Sequence, residues 1–96
     1  MNVGILKIKL RLPDNLSLKG KRQIVKSLTS RLKNKFEVSV AEVGDNDLWQ
    51  LATIGVCFVS NDKRFTDEIL SKIGAFVTNG QGDYEILDHE IEILTV

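Results

Sequence analysis

Residues 50–60 read QLATIGVCFVS, a run with the length and the β-branched content of a long strand. In extended chain, Ala52, Ile54, Val56 and Phe58 fall on one face and Leu51, Thr53, Cys57 and Val59 on the other, because successive side chains alternate. Both faces are largely apolar. A strand with one wet face alternates apolar and polar residues, whereas one that is apolar on both sides belongs in the middle of a sheet, covered from both directions. The stretch is therefore expected to be a central strand. Just before it, residues 38–43 (VSVAEV) form a short β-branched run, and Gly44-Asp45-Asn46-Asp47 supplies a turn, so the two runs are expected to pair as a hairpin.

Working outward, residues 3–12 place Gly4, Leu6, Ile8, Leu10 and Leu12 on one face and Val3, Ile5, Lys7, Lys9 and Arg11 on the other. That period of two predicts another strand, which Pro13-Asp14-Asn15 ends. Ser17 is a good helix N-cap, and Leu18, Ile24, Val25, Leu28, Leu32 and Phe36 recur at helical spacing, giving a first helix of about five turns. Gly20 weakens its start by roughly 1 kcal/mol against alanine. After the central strand, Ser60-Asn61-Asp62 offers caps for a second helix carrying Phe65, Ile69, Leu70, Ile73, Phe76 and Val77, with Asn79-Gly80-Gln81-Gly82 as its terminator. Residues 84–94 alternate again, with Leu87, Ile91 and Ile93 on one face and Asp88, Glu90 and Glu92 on the other. The order βαββαβ predicts an α+β, ferredoxin-like sandwich: a four-stranded antiparallel sheet in the order 4-1-3-2 with two helices on one face.

With 96 residues, the chain is expected to form one domain, residues 1–96. Its 27% charged and 43% hydrophobic residues match an ordinary soluble globular protein. The apolar runs are too short to span a bilayer, and Met1-Asn2-Val3 lacks the start of a signal peptide, so the expectation is a cytoplasmic protein with no membrane partner. The lone Cys57 has no disulfide partner, which agrees with a reducing compartment. Net charge is zero, yet residues 1–36 hold ten Lys/Arg against Asp14 alone (+9) and residues 37–96 hold three against twelve acids (−9). In the 4-1-3-2 order the last strand lies beside the first. Asp88, Glu90 and Glu92 are then expected to face Lys7, Lys9 and Arg11 across the open side of the sheet, cancelling much of that asymmetry.

The basic stretch that remains is SLKGKRQIVKSLTSRLKNK, residues 17–35, with seven Lys or Arg and no acid. At 100° per residue, Lys19, Arg22, Lys26 and Lys33 fall within an arc of about 60°. Lys21, Arg31 and Lys35 lie elsewhere around the helix. Such a row can follow a phosphate backbone, each contact adding a salt-sensitive term, or it can be the solvated back of a packing helix. Lys19, Lys21, Arg22, Lys26 and Lys33 are the candidate nucleic-acid-binding residues. An RNA-recognition motif on this fold would instead stack bases on aromatic side chains of the open sheet face. That face offers Lys7, Lys9, Arg11, Thr53, Cys57 and Val59, with no aromatic ladder. Leu51, Thr53, Cys57 and Val59 are candidate residues of an oligomer interface, because an apolar patch on an open face calls for a partner.

No catalytic or metal site is expected. His89 alternates in phase with Leu87 and Ile91 and reads as a core-side or edge histidine. Asp45 and Asp47 lack the glycine and distant glutamate of a calcium loop. Cys57 lies within a strand, away from the helix N-terminus or neighbouring histidine that would activate it. Gly80-Gln81-Gly82 reads as a turn rather than a phosphate loop, and Trp49 as a packing residue or interface anchor.

Four blocks, VGILKIKLRLP, SLKGKRQIVKSLTSRLKNKF, VSVAEVGDNDLWQLATIGVCFVSND and ILDHEIEIL, together resemble the YlxP-like family of small bacterial proteins, a domain family of unknown function. The similarity runs from Val3 to about Leu94. The chain departs from the family pattern at Gly20, where a glutamate would complete a capping box with Ser17, and at Gly44, usually Asp. The resemblance implies a ferredoxin-like fold, no known enzymatic activity, and genes lying among translation and ribosome-maturation factors; it carries no functional residues across. The leading expectation is a non-enzymatic accessory factor that binds RNA or the ribosome, without DNA specificity and without a cofactor. The alternative is a protein-interaction module that forms a dimer or larger homo-oligomer through its sheet.

Overall fold

A computed structural model describes residues 1–80 and 82–96. The elements follow the expected order: β1 (Asn2–Arg11), α1 (Leu18–Lys35), β2 (Ser39–Gly44), β3 (Leu51–Ser60), α2 (Lys63–Asn79) and β4 (Glu85–Thr95). All neighbouring strands are antiparallel and the sheet order is β2-β3-β1-β4, the expected 4-1-3-2 seen from the opposite edge. Strand β3 is an inner strand of the sheet, as expected, but the expectation that it is covered from both directions is not met. Only one of its faces is covered by the helices.

The helix-side core is built from the even positions of the central pair: Leu6, Ile8 and Leu10 of β1 and Ala52, Ile54 and Val56 of β3 are all buried. Leu28 and Leu32 of α1 and Leu70, Ile73 and Val77 of α2 close over them. Helix α2 sits directly on β1 at Gly4, where a Cβ would come within 2.5 Å of Thr66 Cγ2, so the small residue sets that close approach. Both helices start on side-chain caps. Ser17 Oγ accepts from the Gly20 amide at 3.0 Å, and Asp62 Oδ1 accepts from the Phe65 amide at 3.0 Å. The turn expected at Gly80-Gln81-Gly82 includes Gln81, which lies outside the described residues.

Strand β4 departs from the expected alternation. Its register against β1 shifts between Lys9 and Leu10, so that Asp88 faces Lys9 while Ile86 faces Leu10. Leu87 is the extra residue of this bulge, and it is exposed rather than on the core face. Ile86, His89, Ile91 and Ile93 take the helix-facing positions, with His89 across from Ile8 and exposed on this edge strand.

The bulge also changes the charge pairing. Lys7 faces Glu90 and Lys9 faces Asp88 as expected, but Arg11 faces Glu85, and Glu92 faces Ile5. The close ion pairs on this side are Arg11 Nε to Glu85 Oε2 at 3.3 Å and Lys9 Nζ to Asp45 Oδ2 at 3.8 Å. The first is solvent-exposed, the second has a half-buried Asp45, and each contributes on the order of 0–1 kcal/mol. The basic strand is thus bracketed by acids on both sides, from β4 and from the β2–β3 loop.

Candidate nucleic-acid interface

The 3.6-residue period of α1 divides its basic residues into two groups. Lys19, Arg22, Lys26 and Lys33 are exposed on the outer face, turned away from Leu28 and Leu32. Among the described residues, no carboxylate lies within 4.0 Å of any of the four. Helix α1 has no acid in its first turn to soften the field there. The row runs about 21 Å along the helix, at 1.5 Å per residue. Lys35 points elsewhere, lying over the Phe76 ring at 5.0 Å from its centroid.

Lys21 is not part of this surface, and its assignment as a phosphate contact is corrected. Its side chain is 1% exposed, in the middle of the buried stripe of α1. The ammonium group donates to the carbonyls of Asp45 at 2.7 Å, Asn46 at 3.2 Å and Leu51 at 3.1 Å, which uses its three protons. Glu42 Oε2 stands 2.8 Å from the same nitrogen; it supplies the opposite charge but gains no aligned hydrogen bond. A buried cation needs both a counter-charge and filled hydrogen bonds, and here it has both. Its partners are two loop carbonyls, one strand carbonyl and a carboxylate of β2, so Lys21 anchors the β2–β3 loop onto α1.

A second set of bonds ties that loop to the segment between β1 and α1. Asn15 Nδ2 donates to the carbonyls of Ser17 at 2.7 Å and Trp49 at 2.6 Å. Gln50 Nε2 donates to those of Pro13 at 3.2 Å and Asn15 at 3.1 Å, and the Leu12 amide donates to Gln50 O at 2.9 Å. Asp45 sits in the left-handed region at φ 60, and its carboxylate accepts from Thr53 Oγ1 at 2.8 Å. The loop is held on every side, yet it presents Leu48 and Trp49 outward beside Leu16, at 48%, 53% and 76% exposure. These residues and Arg11, Asp47, Gln50 and Leu51 line a shallow groove of about 480 Å³.

The family called "Protein of unknown function (DUF503)" matches residues 3–91. The chain belongs to this DUF503 family. It is also 35% identical over 75 residues to "Uncharacterized protein YlxP" of Bacillus subtilis (strain 168), an alignment covering 78% of this chain and 82% of that one. Two of the sequence blocks quoted above, SLKGKR and VSVAEVGDNDLWQ, meet in space in this DUF503 protein. Lys21 of the first bonds Glu42, Asp45 and Asn46 of the second.

The four candidate interface residues Leu51, Thr53, Cys57 and Val59 all lie on the open sheet face, but they do not form one patch. Thr53 sits in a charged band with Lys7, Lys9, Asp88 and Glu90. That band separates Leu51 at one end from Cys57 and Val59 at the other, some eight residues or about 26 Å along β3. Val59 instead joins Val3 and Leu94 in one row across three strands. No aromatic residue stands on the open-face positions of β1 or β3. Among the described residues, no three of His, Cys, Asp and Glu come together in a way that could hold a metal ion. Among the described residues, no helix is long and apolar enough to cross a membrane.

Proposed function

We propose that this DUF503 protein is a non-enzymatic RNA-binding accessory factor, acting on the ribosome or its assembly, that contacts phosphates through Lys19, Arg22, Lys26 and Lys33. The observation that supports this reading is the row itself: four exposed cations on one helix face with no carboxylate within 4.0 Å among the described residues, whereas the cations of β1 are met by acids. Each phosphate neutralised releases counterions, which is the sequence-independent source of affinity for nucleic acid. The family's expected genomic neighbourhood among translation factors points to RNA. Reversing Lys19, Arg22 and Lys26 to glutamate is expected to abolish co-sedimentation with ribosomal RNA at low salt. Retention equal to that of the unaltered protein would defeat the reading.

A second reading, self-association through the open sheet, draws on Val3, Val59 and Leu94, whose row leaves Val59 55% and Leu94 43% exposed. It predicts a mass by light scattering that falls on dilution and a Val59→Lys variant that stays monomeric. A strictly monomeric mass at the highest concentration tested excludes it.

A further inference from the structure

Resting on the proposed RNA reading, we infer that Trp49, with Leu16 and Leu48, is a stacking platform for an unpaired base of a single-stranded RNA whose phosphates run along the basic row. Trp49 is half exposed, although an indole of that size is normally buried or covered. It is also held in place. Its carbonyl accepts from Asn15, its neighbour Gln50 bonds the opposite loop twice, and the buried Lys21 ammonium fixes the loop on both flanks. A backbone already fixed in this way gives up little freedom when a flat ligand settles on the indole that it carries.

The occupant follows from what adjoins the groove. Leu16 lines it, Ser17 caps α1, and Lys19, three residues after Leu16, opens the basic row in the first helical turn, so the groove lies at the N-terminal end of the helix that carries the row. A strand that lays its backbone on Lys19, Arg22 and Lys26 brings its next base to the indole. Single strands are bound by this combination of a basic track and an aromatic face, whereas duplexes keep their base faces stacked inside. Asp47 is the carboxylate on the groove, and it steers the backbone toward Lys19. Arg11, already held by Glu85, contributes its planar face rather than a free charge.

Trp49 is the sole tryptophan, so its emission reports on this groove alone. The test titrates the full chain with a single-stranded oligoribonucleotide and with a duplex of the same sequence, following both Trp49 fluorescence and the anisotropy of a label on the RNA. The expected result is strong quenching by the single strand and little by the duplex. Trp49→Ala should weaken single-strand binding roughly five- to hundredfold and leave duplex binding unchanged. Folding is not at issue, because the indole is half exposed and the loop's bonds use the residue's backbone; far-UV circular dichroism checks this. Binding of both RNAs with Trp49 emission unmoved, or with Trp49→Ala equal to the parent protein, overturns the platform while leaving the basic row standing. Binding of neither RNA removes the row and the platform together. A blue shift of the emission on concentrating the protein alone assigns the groove to a second copy and likewise overturns the inference.

Discussion

A lysine ammonium withdrawn from water costs several kcal/mol unless charge and hydrogen bonds replace its hydration, and Lys21 shows both replacements in one place. Lys21→Met should therefore lower the unfolding free energy by about 3–5 kcal/mol, since it strands the Glu42 carboxylate and takes the ammonium from three carbonyls, of which Asp45 O keeps only the Leu48 amide. Combining it with Glu42→Leu should restore part of that loss by removing the stranded charge, as read from urea midpoints. If Lys21→Met unfolds at the parent's midpoint, the anchoring role is wrong. Lys21's place could be read in the sequence: on a helical wheel it falls at about 300°, between Leu28 at about 280° and Leu32 at about 320°. Glu42 likewise stands in phase with Val40 on the core side of β2. Grouping Lys21 with the surface cations gave residue type more weight than position. What the sequence does not display is the three carbonyls, because they depend on how the β2–β3 loop folds back.

Two glycines inside helices look alike in sequence and are predicted to respond oppositely. Gly74 has open space where a Cβ would go, so Gly74→Ala should raise stability by about 0.5–1 kcal/mol through helix propensity alone. At Gly20 a Cβ would run into Asn15 Oδ1, and Asn15 is the residue whose amide holds the Ser17 and Trp49 carbonyls. Gly20→Ala should therefore destabilise despite the same propensity gain, and equal gains at both sites in urea unfolding would refute this account of the loop end. The helices, the hairpin and the strand order were legible because each follows a clean period with turn residues between. The β4 bulge left a fainter trace: apolar residues hold even positions at Tyr84 and Ile86 and odd ones at Ile91 and Ile93, and that change of phase marks the extra residue.

Charge is distributed over this molecule in two different ways. On the sheet, the cations of β1 lie between the acids of β4 and Asp45, so the field there is largely cancelled at short range. On α1, no carboxylate among the described residues pairs with the row of four, even though the net charge is zero. The split into +9 and −9 halves was plain in the sequence, but which cations would be cancelled depended on register, and the register turned on the bulge. If the row on α1 carries phosphate binding, the affinity for RNA must depend on salt with a slope set by the number of contacts. For four phosphate contacts on a single strand, log K against log salt should fall with a slope of about −3, and Lys26→Gln should reduce its magnitude by about 0.7. A slope that stays the same in Lys26→Gln, or an affinity indifferent to salt, would contradict the account.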